Sequence, residues 1–421
     1  MGYRLTNARL IIFLIVIVII CVYFYQTASF ESQFESISII STTVIPNTTT
    51  TTITNRKVRK PTLDFAELAQ QLRDYAVTRD KDLEKILFPW WLNFKNETNS
   101  KRYFNESDPS KGIVICTGNK HFPLTLVALS ALQLIENELP IEVMYSTATD
   151  LSLENQKELK TRFPTVDLID LSAATFNDSY LELRGWEIKP FAVLASRYRH
   201  VILMDSDVLF LEKPSILLSN SFYLKTGSLF FYDRVDFDGR AIQWIRTLII
   251  DDKKQSIPTR TQESGVVVID KARTLIGLLS TCKLNDHRER EIVTYQRLHG
   301  DKDTWWLGYH IVQLSYSFIP TFTGSIGEIV NRGQSNVVCG HILHLDEHSR
   351  PIWWNGGTFA NRYFDLTLLK IQGWLYEGHW NLAKISCLTN AQDKPKEFNQ
   401  HQQKLIQGYI QATKQFFHLT K

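Results

Sequence analysis

Two aspartates one residue apart, Asp205 and Asp207, close the run His200-Val201-Ile202-Leu203-Met204. Side chains two apart on a strand face the same way. Two carboxylates on one side are hard oxygen donors, suited to Mn²⁺ or Mg²⁺ rather than a soft metal. Spacing alone decides little, because three further Asp-x-Asp triplets occur: Asp80/Asp82, Asp236/Asp238 and Asp301/Asp303. Only the triplet at 205 follows a run apolar on both faces, the pattern of a central strand in a helix-covered sheet. Ligands of open α/β sheets bind beyond the carboxyl ends of such strands.

The segments around this triplet alternate between strand and helix patterns. Ile113–Cys116 reads as a strand ending in Thr117-Gly118, and Pro123 opens a helix filled by Leu126, Val127, Leu129 and Leu132. Ile141–Tyr145 is the next strand, and Asp150 is placed to cap a helix reaching about Arg162. Val166–Leu171 is a third strand, and a helix over Phe191–Tyr198 leads into the run at 200. Such alternation predicts a Rossmann-like, mostly parallel sheet with helices on both faces. A nucleotide would sit at Thr117-Gly118. No Gly-x-Gly-x-x-Gly and no Walker loop occurs there, which argues against a dinucleotide enzyme or a P-loop NTPase. Glu263–Asp270 is another buried-strand run, and about Lys396 to Phe417 reads as a terminal helix.

Before this region the chain is of another kind. Residues 10–28 hold an apolar run preceded by Arg4 and Arg9, with no Lys or Arg after it until Arg56. That asymmetry predicts a single-pass type II signal anchor, with a cytosolic tail at 1–9 and the rest lumenal. The span is short, which suits the thinner early-secretory membranes. Residues 29–61 are Ser/Thr-rich and read as a stalk. Sequons at Asn47, Asn96, Asn105 and Asn177 agree with a lumenal placement. A helical neck is expected over 62–110, a catalytic domain over 111–371 and a helical extension packed on it over 372–421.

Composition supports a large core, at 44% hydrophobic residues. The 47 basic and 44 acidic residues nearly cancel, and Arg56–Lys60 is a short solvated cluster, so nothing points to nucleic acid. Cys116, Cys282, Cys339 and Cys387 fall on the lumenal side, where three disulfide pairings are open.

Four blocks together carry a resemblance: Gly112-Ile-Val-Ile-Cys-Thr-Gly118, Gly185-Trp-Glu-Ile-Lys-Pro-Phe-Ala192, Ile202-Leu-Met-Asp-Ser-Asp207 and Gly300-Asp-Lys302. With the anchor and stalk, the chain resembles Golgi glycosyltransferases of the GT-A type, specifically the fungal α-1,3-mannosyltransferases of glycosyltransferase family 71, over roughly 111–360. It is more distantly similar to glycogenin-like transferases. The resemblance implies retaining, metal-dependent transfer of mannose from GDP-mannose to a glycan or glycoprotein acceptor. Asp205 and Asp207 would hold Mn²⁺ (or Mg²⁺) against the diphosphate, with His344 as third ligand and His341 as its competitor. Thr117, Gly118, Ser206 and Lys189 would line the donor site, and Arg350 would reach the diphosphate. Asp301 would lie near the transferred sugar, and Asp301 or Glu263 would be the nucleophile of a double displacement. In the other retaining route the leaving phosphate takes the acceptor's proton. Trp305, Trp306, Trp353 and Trp354 are either sugar platforms or core. A UDP-sugar transferase, a metal phosphoesterase and a non-catalytic glycan-binding protein are the alternatives.

Overall fold

The computed structural model describes residues 64–96, 109–147, 149–171, 176, 181–250, 256–332, 335–361, 366–383, 385–390 and 393–419. The tail, the apolar run, the stalk with Asn47, and the sequons at Asn105 and Asn177 lie outside the described residues. No helix among the described residues is long and apolar enough to cross a membrane.

The neck is built by capping and helical periodicity. In α1 (Phe65–Thr78) the Asp64 carboxylate accepts the Ala66 and Glu67 N–H groups, and Phe65, Leu68, Leu72 and Tyr75 are buried. Asp80 caps α2 (Lys81–Leu87) in the same way, which accounts for one acidic triplet. In α3 (Pro89–Asn96), Trp90 packs edge-on to Phe191 with ring centroids 5.0 Å apart. The neck therefore shares its core with the catalytic sheet.

The chain then runs β1 (Lys111–Cys116), α4 (Phe122–Leu134), β2 (Ile141–Tyr145), α5 (Leu153–Arg162), β3 (Asp167–Asp170), α6 (Ile188–Ala195), β4 (His200–Met204) and β5 (Val208–Phe210). Ser152 caps α5 through its hydroxyl, so Asp150 is released from the capping task expected of it. Next come β6 (Ser228–Tyr232), α7 (Gly239–Leu248), β7 (Gln262–Asp270), α8 (Lys271–Leu284), α9 (Thr304–Ile311) and β8 (Ser317–Phe318). Asp238 caps α7, which accounts for a second triplet. The first sheet has the order β3-β2-β1-β4-β7-β6-β8. Four of its six pairings are parallel, and β7 runs antiparallel to both β4 and β6. A strand buried on both faces has the same apolar signature in either direction. Alternate residues divide the core. Val114, Val201, Leu203, Val267 and Ile269 face the neck, α6, α8 and α9. Ile113, Ile115, Ile202, Met204, Val266 and Val268 face α4 and a second sheet.

That second sheet is antiparallel along the order β12-β9-β10-β11-β5. Its strands are β9 (Gly324–Arg332), β10 (Ser335–Leu345), β11 (Pro351–Asn355) and β12 (Gly373–Leu375), extended by β13 (His379–Asn381) and β14 (Ser386–Asn390). Residues 372–421 thus supply strands as well as the terminal helix α10 (Gln400–Phe416), which opens with a capping box of Asn399 and Gln402. The Tyr409 hydroxyl on α10 donates to the Phe210 carbonyl at 2.8 Å. Cys339 and Cys387 face each other across β10 and β14 and form a disulfide, while Cys116 and Cys282 are free thiols. Trp305, Trp306, Trp353 and Trp354 are all fully buried, so they are core rather than sugar platforms.

Candidate active site

Asp205-Ser206-Asp207 is the turn by which the chain leaves one sheet and enters the other. The Asp205 N–H donates to the Gly265 carbonyl at 2.8 Å, and the Val208 N–H closes the turn on the Asp205 carbonyl at 3.1 Å. The Asp207 carbonyl accepts N–H groups from Gly356 and Gly357 at 3.2 and 2.8 Å. Asp205 and Asp207 therefore lie in a turn between strands, where alternation does not set the side they face. Both carboxylates nevertheless line one cavity of about 600 Å³ at the carboxyl ends of β1 and β4, with Thr117, Gly118, Lys189 and Ser206. Asp207 also lines a second cavity of about 330 Å³, with Glu263, Lys302, His341 and Asn355.

Lys189, on α6, holds the floor of the larger cavity. Its Nζ lies 2.9 Å from Asp205 and 3.4 Å from Asp301, and donates to the Ser264 Oγ at 3.3 Å. Burial works against the ammonium charge, but Asp205 and Asp301 hold its pKa above the ordinary lysine value. Burial pushes the Asp205 carboxyl up to about 7 even with Lys189 opposing it. Asp301 is buried, accepts the Trp305 indole N–H at 2.9 Å, and lines neither cavity. Asp303 accepts the Gln262 amide and the Trp306 indole, which makes the fourth triplet a clamp on α9.

Glu263 faces the smaller cavity with both oxygens engaged. Oε1 accepts the Gly265 N–H at 2.8 Å and the Asn355 amide at 3.1 Å, and Oε2 accepts from Lys302 at 3.2 Å. Burial opposes its charge, yet the cations around it, Lys302 foremost, hold its carboxyl at about 2. Lys302 also pairs with Asp233.

The structure does not bring His344 to the aspartates. On β10 it pairs with Trp353, stacks on that indole at 3.8 Å and meets Phe231 edge-on. Burial lowers its imidazole to about 3, and it lines neither cavity. His341 is an odd number of residues away and faces the smaller cavity with Asp207. Its Nε2 donates to the Phe359 carbonyl at 2.5 Å, and Nδ1 is the ring atom beside Gly356. Among the described residues no three His, Cys, Asp or Glu side chains are grouped to hold a metal. Arg350 also stands apart. Its side chain is 72% exposed, pairs with Asp346 at 2.6 Å and lines neither cavity.

Trp186 is a site residue that the sequence patterns gave no reason to choose. It is 54% exposed, lines the larger cavity and leans on His299 and on Gly300. A Cβ at Gly300, where φ is +64°, would strike the indole. The available signal was its place in the Gly185-Trp186-Glu187 block, between a turn and α6.

A nucleotide-type sheet with an acidic turn between two cavities defines a transferase-like site, and comparison with known proteins gives its class. Residues 110–245 and 243–346 match a family described as "Mannosyltransferase putative". These stretches make up more than half of the chain, which belongs to this glycosyltransferase family. The chain is 25% identical over 337 residues to alpha-1,3-mannosyltransferase MNT3 of Saccharomyces cerevisiae, covering 63% of this chain and 52% of that one. It is 24% identical over 432 residues to alpha-1,3-mannosyltransferase MNT2 of the same yeast, covering 79% and 74%. The match thus spans about half the length of the first relative and about three quarters of the second. Among solved structures, mannosyltransferase Ktr4p from S. cerevisiae in complex with GDP aligns with a TM-score of 0.31 and 11% identity, over 58% of this chain and 81% of that one.

Proposed function

We propose that this chain transfers mannose from GDP-mannose to a glycan hydroxyl, with retention and in α-1,3 linkage. The observation that carries this reading is Asp207, which lines both cavities. A diphosphate held in the larger one would present its sugar toward an acceptor in the smaller one. Asp205 and Asp207 fit a divalent ion as paired hard oxygen donors, and His341 is the imidazole on the Asp207 side. When bound, Mn²⁺ or Mg²⁺ supplies neutralisation of charge on the leaving diphosphate. Lys189 anchors Asp205 and keeps a cation at the cavity floor. Glu263 has both oxygens committed to Gly265, Asn355 and Lys302, so it fixes the wall of the smaller cavity rather than attacking the sugar. The leaving phosphate oxygen then takes the acceptor's proton.

The chain works as a single-pass type II Golgi protein with its catalytic domain in the lumen. The flanking Arg4 and Arg9, the apolar run and the stalk support this placement. The Cys339–Cys387 disulfide agrees with an oxidising compartment. The test is transfer to a mannoside acceptor, with GDP-mannose and UDP-sugars side by side and with or without a chelator. We expect Mn²⁺-dependent turnover of GDP-mannose alone, an α-1,3 product by NMR, and a loss of at least ~100-fold in Asp207→Asn. Turnover confined to UDP-glucose or UDP-galactose, or an undiminished Asp207→Asn enzyme, overturns the reading.

A further inference from the structure

The larger cavity crosses three neighbouring strands. β4 carries Asp205 at its end, β1 carries Thr117 and Gly118, and β2 leads to the segment ending at Asp150. Adjacent strands lie ~4.8 Å apart, so β2 stands ~10 Å from β4. That is the direction in which a nucleotide runs from phosphate through ribose to base. Asp150, in the segment that follows β2, lines this cavity as well.

The carboxylates of the cavity are unequally committed. Asp205 is paired with Lys189. The Glu187 Oε1 accepts the backbone N–H groups of Arg184 and Gly185. Glu291 is a largely exposed partner of Arg290. Asp150 accepts the Ser146 N–H through Oδ2 at 3.2 Å, and its Oδ1 lies over Gly118. Gly118 has extended backbone, at φ −159°, that any residue could adopt. Its lack of a side chain is a matter of space, because a Cβ there would collide with Oδ1. The strand end is thus cut back to seat this carboxylate. Burial raises the Asp150 carboxyl, and the Ser146 N–H and His121 oppose that rise.

We infer that Asp150 reads the donor base and selects guanine. An ionised carboxylate offers only acceptors. Guanine presents two adjacent donors, N1–H and N2–H, which a carboxylate receives as a bidentate pair. Uracil presents one donor flanked by two carbonyl oxygens, and one of those oxygens would face the carboxylate. Cytosine and adenine pair their amino donor with a ring-nitrogen acceptor. Of the four bases, only guanine matches both oxygens.

This inference rests on the GDP-mannose reading above and adds to it the residue that sets the base. The test is calorimetric titration of the full-length chain, with Mn²⁺, by GDP, IDP and UDP. IDP is GDP without the 2-amino group, so the comparison needs no variant. We expect GDP to bind roughly 10- to 100-fold more tightly than UDP, the scale of one bidentate base contact, with IDP, which keeps N1–H, in between. Asp150→Ala should abolish the difference between GDP and IDP, weakening GDP most, IDP less and UDP hardly at all. Equal binding of GDP and IDP by the unaltered chain overturns the assignment and leaves the GDP-mannose reading standing. So does a preference for GDP that survives in Asp150→Ala. Binding of UDP with none of GDP overturns both.

Discussion

Replacing Lys189 by Met removes the cation between two carboxylates with little change in volume. At about 3 Å and an effective dielectric near 20, each contact is worth ~5 kcal/mol of Coulomb attraction, most of it offset by the desolvation of three charged groups. Removing one partner of such a buried cluster costs ~3–5 kcal/mol, because the remaining charges stay buried without compensation. The side chains of Lys189 and Asp301 are 8% and 3% exposed, so solvent does little to screen the loss. The deficit should also depend on pH. The Asp205 carboxyl stands at about 7 with Lys189 opposing its rise, and without that cation it moves higher. A folded acid with a raised pKa loses stability as pH climbs from its unfolded value toward its folded one. Near pH 5 both proteins keep Asp205 protonated and differ mainly at Asp301. Above pH 7 only the variant continues to pay for protonation, so its deficit should grow by up to ~1.4 kcal/mol per pH unit between pH 7 and 8. Urea denaturation followed by tryptophan fluorescence at pH 5.5, 7 and 8 measures this. A deficit under ~1 kcal/mol at pH 8, or one that stays flat with pH, refutes the account of Lys189 as the neutralising centre.

Two other features give measurable outcomes. The Cys339–Cys387 disulfide joins residues 48 apart, and reducing it should remove up to ~4 kcal/mol of stability, read as a lowered melting temperature of wild type in reductant. The same treatment should leave Cys339→Ser unmoved. Lys271 is fully buried against the Leu194 and Ser196 carbonyls, and burial lowers its ammonium to about 7. From about pH 7 to 10 the unfolded chain then binds one more proton than the folded one at this residue, so stability rises by up to ~1.4 kcal/mol per pH unit. Lys271→Met should flatten that rise, and an unchanged pH slope would count against a neutral Lys271.

Strand β4, β7 and the helices between β1 and β4 were legible because burial on both faces writes a continuous apolar run, and because Pro123 marks a helix start. The direction of β7 was not legible, since the same run serves a parallel or an antiparallel ladder. The second sheet was missed because β9, β10 and β11 form only its local part, and β5, β12 and β14 join them from far off in sequence. At the site, Thr117, Gly118, Lys189, Asp205, Ser206 and Asp207 do share a cavity. His344 and Arg350 fall outside it because register, which a spacing pattern does not supply, points His341 rather than His344 toward Asp207. Trp186 and Asp150 had no signal of their own. An exposed tryptophan and a carboxylate beside a glycine acquire meaning only when the strand ends are laid side by side.

The chain changes sheets within the three residues that carry its acids, and this has a consequence for biosynthesis. β5 has no ladder until Trp353–Asn355 arrives, and Asp207 has no donors to its carbonyl until Gly356 and Gly357 follow. Closing so long a loop comes late in folding. A nascent chain that has already built β1 to β4 therefore holds most residues of the larger cavity but not the fixed geometry of its acids. The acidic turn takes its fixed form only with the last strands, so an unfinished chain has the residues of the larger cavity without their final arrangement.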